Sequence, residues 1–153
     1  SIAPGTGTPS HGGFIYYEVL EILAALAKRG TVVGIDLVEV PRMQKILRRW
    51  GDRFTARVYT PEEIAYCRGK ALPAIHFAAR FAAKEAFGKA LGIGVAKPAT
   101  LPNIAVEHDA LGKPSFSYAP ELAQLLAERG LVAHLSISDE KEFALAFVVL
   151  EHA

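Results

Sequence analysis

The chain reads as an α+β protein, and two observations point there. Most of the β-branched segments, in the second half of the chain, follow one another through short turns of hairpin type. The helical segments do not alternate regularly with strands, as they would in a doubly wound α/β fold. Its 153 residues fit one domain that buries about two thirds of its unfolded surface, with no need of a disulfide or metal to fold. Hydrophobic residues make up 51% and charged ones 22%, which excludes intrinsic disorder and leaves apolar surface to bury against a partner subunit. A formal net charge of +1 excludes a uniformly basic nucleic-acid binder. Cys67 is the single cysteine, so no internal disulfide forms and a reducing, cytoplasmic setting is expected. The longest apolar run, Phe143 to Leu150, is too short to span a membrane, and the N-terminal segment carries Glu18 and Glu21, unlike a secretory signal.

In chain order, 1–13 is Gly/Pro/Ser/Thr-rich without charge and reads as a flexible leader. Residues 14–29 have helical apolar spacing, stopped by Gly30. Residues 1–30 are thus expected to be an extension of unknown role, and 31–153 the domain. Thr31 to Val40 is β-branched and reads as a strand; Pro41 then opens a helix to about Trp50. Thr60-Pro61-Glu62-Glu63 combines an N-cap, a first-turn proline and two acids, and starts a helix through about Arg68. Ala74 to Leu91 is the longest helical segment, rich in alanine, with Gly92 past its end. Asn103–His108, Lys113–Tyr118, Val132–Ser138 and Phe143–Leu150 read as strands, and Glu121–Arg129 as a helix opened by Pro120.

Asp36 lies mid-strand among apolar neighbours, where an acid is costly unless it caps a loop, is paired or holds a cation. Glu85 and Lys89 share a helix face, as do Arg80 and Lys84. Taken alone these are salt bridges on a solvated face, but the alanines around them let other backbone approach closely, so the helix is not solvated all round. A strand acid, a helix acid and adjacent cations suit a magnesium-bound phosphate ester. No histidine pair has zinc-ligand spacing; His134 lies inside a strand, where hydrogen-bonded structure is its ordinary role. Between positions 42 and 57 stand Arg42, Lys45, Arg48, Arg49, Arg53 and Arg57 against only Asp52. If the helix continues through residue 53, positions 42, 45, 49 and 53 form one basic stripe, which suggests an acidic macromolecular partner. Walker A, dinucleotide and Gly-x-Ser-x-Gly motifs are absent, and Gly92-Ile93-Gly94 is uninformative alone.

Together, GIDLVEVPR (Gly34–Arg42), RFTARVYTPEE (Arg53–Glu63), ARFAAKEAFGKALG (Ala79–Gly92), LGKP (Leu111–Pro114) and HLSIS (His134–Ser138) resemble, in order and spacing, bacterial holo-[acyl-carrier-protein] synthase, the short type of 4′-phosphopantetheinyl transferase. The resemblance runs from about Val32 to the C-terminus. It implies the family's α+β fold, an antiparallel sheet with a long Ala-rich helix, assembled as a homotrimer with interfacial sites. The implied reaction moves 4′-phosphopantetheine from coenzyme A to a serine of apo acyl carrier protein, releasing adenosine 3′,5′-bisphosphate. By the same resemblance Asp36 and Glu85 hold Mg²⁺, and Lys89 contacts the pyrophosphate. Arg80, Lys84, Gly92 and His134 belong to the coenzyme A site. Arg42, Ile46, Arg49, Arg53, Phe54 and Arg57 dock the carrier protein. Either a metal-bound water or Glu85 would accept the serine proton, and the sequence does not choose between them. Larger transferases of the superfamily carry a second acid two residues after the strand Asp; here that position is Val38, as the short type implies. Nucleic acid and membrane are not expected partners. The alternative is a non-catalytic α+β module binding an acidic protein through the Arg42–Arg57 stripe.

Overall fold

A computed structural model describes residues 21, 30–92 and 100–153. The leader at 1–13, the helix expected over 14–29 and all but the first residue of Gly92-Ile93-Gly94 lie outside this set, apart from Glu21.

Strand β1 (Val32–Glu39) passes directly into helix α1 (Val40–Trp50), with Pro41 in the first turn, where its missing N–H costs nothing. Gly51, at φ 50°, stops α1 and starts a second helix, α2 (Asp52–Val58). The sequence reading had no helix here, and its single stripe through position 53 is corrected: Arg42, Lys45 and Arg49 ride on α1, and Arg53 on α2 beyond a left-handed corner. Helix α3 (Pro61–Arg68) begins with a reciprocal capping box in which Thr60 accepts from the Glu63 N–H and Glu63 from the Thr60 N–H. Helix α4 (Pro73–Leu91) is the long alanine-rich helix, closed by Gly92 at φ 84°. A 3₁₀ turn (Leu101–Asn103) leads to the hairpin of β2 (Ile104–His108) and β3 (Pro114–Tyr118). Asp109 Oδ1 ties its turn by accepting from the Leu111 and Lys113 N–H groups. Helix α5 (Pro120–Arg129), β4 (Leu131–Asp139) and β5 (Phe143–His152) complete the described chain.

Two antiparallel sheets result, one ordered β1-β5-β4 and the other the β2–β3 hairpin. In the first, Asp36 is opposite Ala146 and Glu39 opposite Phe143, so the two acids point to opposite faces. The face carrying Gly34, Asp36, Ala144, Ala146 and Val148 packs on α4. Contact there is close because the residues are small: a Cβ on Gly34 would fall 1.9 Å from the Ala86 carbonyl oxygen. That notch brings β1 against the α4 backbone and puts Asp36, two residues on, beside Glu85 and Lys89. One core cluster joins α4 through Ala83, Ala86 and Phe87 to Ile104, Leu122 and Val148. The other joins α1 through Met43 to Tyr59, Cys67 and Phe77, where the Tyr59 hydroxyl donates to the Phe77 carbonyl at 2.7 Å.

The opposite face of the β1-β5-β4 sheet carries Ile35, Leu37, Phe143, Leu145 and Phe147 with no element of the described chain packed over it; Leu37 is 57% exposed.

Candidate active site

Helix α4 presents two charged faces. On the first, Lys84 is fully buried and its ammonium donates to Glu63 Oε1 at 2.6 Å, to the Leu101 carbonyl at 2.9 Å and to the Ile104 carbonyl, which uses all three hydrogens. Glu63 also accepts from the Val106 N–H at 3.0 Å, satisfying an edge-strand donor. Burial pulls Lys84 below the usual lysine range, and Glu63 pulls it back. Arg80, likewise buried, has Nε 3.9 Å from Glu63 Oε2, too long for a hydrogen bond, and Nη2 3.1 Å from His108 Nδ1. The solvated-face reading of Arg80 and Lys84 therefore fails, because Glu63, far away in sequence, supplies the counter-charge.

The second face carries Glu85 and Lys89. Lys89 Nζ donates to Asp36 Oδ1 at 2.8 Å and to the Ile35 carbonyl at 3.1 Å. Burial first, then the charge of Asp36, raises the Glu85 carboxyl above its usual value, while Lys89 lowers it. Two carboxylates thus lie within electrostatic reach of one another, with Lys89, paired to Asp36, as the one cation acting on Glu85. Such a hard-oxygen pair fits a divalent cation of the magnesium kind, which keeps several positions for water and phosphate oxygens. Among the described residues no group of three or more His, Cys, Asp or Glu is arranged to hold a metal ion.

A groove of about 320 Å³ runs from this pair onto the basic helices, lined by Asp36, Glu85, Arg42, Ile46, Phe54 and Phe81 among others. Phe54 meets Phe81 at 6.2 Å between ring centroids, which fixes α2 against α4. Beyond the groove, Arg49 and Arg53 both lie over the Trp50 ring, at 5.1 and 5.7 Å, so the pair meets across the Gly51 corner. Gly92 closes α4 one turn past Lys89.

His134 is placed elsewhere. It stands on the open sheet face, opposite Val149, with Nε2 2.8 Å from Glu151 Oε1. Within one chain the sheet separates it from Asp36. Cys67 is buried and its thiol pushed up to about 11, chiefly by burial, so it supplies no thiolate near neutrality. The sequence reading missed Glu63, Tyr66 and His108 around Arg80; only Glu63 carried a signal, as the acid three places after the Thr60 cap.

The α+β fold, with its antiparallel sheets and one long alanine-rich helix, is that of a known transferase superfamily. A family model described as the 4′-phosphopantetheinyl transferase superfamily matches residues 32–148, more than half of the chain. The chain belongs to that superfamily, in its holo-[acyl-carrier-protein] synthase branch. The holo-[acyl-carrier-protein] synthase of Dechloromonas aromatica is 53% identical over 121 residues, 79% of this chain and 97% of the relative. The crystal structure of the Neisseria meningitidis synthase superposes with a TM-score of 0.74 at 43% identity, covering 78% of this chain and 97% of that one. The Helicobacter pylori synthase, solved in complex with coenzyme A, gives a TM-score of 0.69 at 29% identity, covering 78% and 99%. An Arginase family model also matches residues 1–48, less than half of the chain, overlapping the first match across β1 and most of α1. Among the described residues no helix is long and apolar enough to cross a membrane.

Proposed function

We propose that this chain transfers the 4′-phosphopantetheine arm of coenzyme A to a serine of an apo acyl carrier protein, releasing adenosine 3′,5′-bisphosphate. The observation that carries the reading is the meeting of Asp36, Glu85 and Lys89 at the head of a groove whose far walls are Arg42, Ile46 and Phe54. The serine oxygen attacks the phosphorus next to the pantetheine arm, its proton passing to water or to the Glu85 carboxylate, the P–O bond of the anhydride breaks, and the nucleotide leaves with the electron pair. Such a displacement needs positioning and neutralised charge more than covalent help. Asp36 and Glu85 are the residues that would hold Mg²⁺, which when bound neutralises charge on the pyrophosphate. Lys89, a point charge on a flexible stem, serves the pyrophosphate, and Arg80 a phosphate of the coenzyme from the wall of the neighbouring cavity.

Arg42, Arg49, Arg53 and Arg57 receive the acidic carrier, with Ile46 and Phe54 as its apolar contacts. Residues 31–153 form the transferase domain and 1–30 an extension; the superfamily match starting at residue 32 supports that boundary. The open apolar face of the β1-β5-β4 sheet is the interface of a homotrimer, and assembly is what brings His134 of one copy toward the site of the next. The setting is cytoplasmic, where coenzyme A and a reduced Cys67 coexist.

The test is the intact mass of an apo acyl carrier protein after incubation with this protein, coenzyme A and Mg²⁺. The expected result is a gain of one phosphopantetheine that EDTA abolishes. No gain on carriers from several pathways, with a folded sample, would leave only a binding module. Light scattering is expected to show a trimer, and a stable monomer would contradict the shared interface.

A further inference from the structure

Arg80 is held by two rings as well as by its own helix. Its guanidinium carbon lies 4.0 Å from the Tyr66 ring centroid, and its Nη2 lies 3.1 Å from His108 Nδ1. The His108 imidazole in turn stacks on Tyr66, with centroids 5.2 Å apart and planes 7° from parallel. All three side chains line a cavity of about 430 Å³. An arginine carries only donors, so Nδ1 must supply a lone pair, and His108 is the neutral imidazole with its proton on Nε2.

The surroundings favour that form. Lys70 lies 4.4 Å from the Tyr66 centroid, and His76 meets the same ring edge-on at 6.0 Å. Burial first, and then the charges of Arg80, Lys70 and His76, lower His108 below the ordinary imidazole value of 6.5, with Asp109 opposing. Glu62 and Glu107 line the cavity, and Glu63, whose oxygens serve Lys84, Thr60 and Val106, balances the charge of Arg80 from 3.9 Å without a hydrogen bond to it. The Arg80 Nε has no hydrogen-bond partner among the described residues. His108 and Tyr66 therefore do much of the work of orienting this guanidinium.

Resting on the reading that Arg80 meets a phosphate of coenzyme A, we infer that His108 is a positioning residue: as the neutral acceptor of Arg80 Nη2 it holds the guanidinium flat on Tyr66, in the orientation the coenzyme requires. It acts on coenzyme A binding, through Arg80, and not on the chemical step or on carrier docking.

Steady-state kinetics with the full chain separate these roles. His108→Leu removes the acceptor and is expected to raise the KM for coenzyme A about tenfold, leaving kcat and the KM for the carrier protein within about twofold. His108→Asn, whose Oδ1 can accept from Arg80, is expected to restore most of that loss. In the wild type, protonation of His108 removes the acceptor and sets two cations together. Its KM for coenzyme A should accordingly climb more steeply below pH 6.5 than that of His108→Asn, a comparison in which the coenzyme's own titration cancels. Arg80→Ala is the control. If it leaves the KM for coenzyme A unchanged, the phosphate role of Arg80 is wrong and the inference falls with it. If Arg80→Ala raises that KM but His108→Leu does not, or His108→Asn is as impaired as His108→Leu, the positioning role alone is overturned. Should His108→Leu fail to fold, the Asn variant and the two pH profiles decide, and identical profiles contradict the inference.

Discussion

The two charged faces of α4 each pair a lysine with a carboxylate from another element, Lys84 with Glu63 of α3 and Lys89 with Asp36 of β1, and end in opposite states. Lys84 is closed: all its donors are taken, and Glu63, the group that pairs with it, serves backbone N–H groups as well. Glu85 is open: burial first and then the charge of Asp36 raise its pKa, and the one lysine nearby, half-exposed Lys89, is paired with Asp36. A satisfied ion cluster buried in a core holds structure together, because removing either partner strands a charge. A cluster left short of positive charge beside a groove is suited to take a cation and a polyanion.

Substitutions on the two faces should separate these roles. The largest effect is expected at the open face: Asp36→Ala or Glu85→Ala should lower carrier modification by about 10²–10³-fold or more while the circular dichroism spectrum and melting cooperativity stay as in the wild type. Next comes the closed face. Lys84→Met should cost about 3–5 kcal/mol in denaturant unfolding by leaving Glu63 with only the more distant Arg80 as counter-charge, and adding Glu63→Leu should recover part of that loss. Charge removal on α1 and α2, the helices proposed to receive the carrier, is milder: Arg49→Ala with Arg53→Ala should raise the carrier KM by about tenfold at low salt, with the difference shrinking as salt rises. The Trp50 ring that both guanidiniums share makes the two changes non-additive.

The smallest effect has the opposite sign. Glu85 titrates higher in the folded chain than in the unfolded one, so its favourable contribution is present at acid pH and is lost as pH rises through the folded value. At pH 7 without divalent cation the ionised group costs stability. Glu85→Gln should therefore be slightly more stable than wild type at that pH, an advantage that vanishes below the ordinary glutamate value of 4.5. Thermal melts at both pH values check this.

Local signals in the sequence carried most of the fold. The Thr60 cap, the prolines opening α1, α3 and α5, the alanine run of α4 and the hairpin turn at Asp109 each act within a few residues, and the elements formed where those signals stand. Gly51 was harder to read, because its left-handed φ splits what charge spacing alone presents as a continuous helix. The closed cluster was not legible at all: Glu63 and Lys84 are 21 residues apart and meet through the packing of α3 on α4, which no local pattern encodes. Asp36, Glu85 and Lys89 were legible as a set through family resemblance, and the Gly34 notch supplies the physical reason they meet. His134 was legible as a strand residue, but which sheet face it takes follows from the register with β5.

The most direct measurement compares two double variants in the intact-mass assay, each first confirmed as folded: Asp36→Ala with Glu85→Ala, and Glu63→Leu with Lys84→Met. The account predicts that the first leaves the apo carrier at its original mass while the second, though less stable, still adds phosphopantetheine. A first variant that modifies the carrier at the wild-type rate would contradict the assignment of the open face as the reacting site.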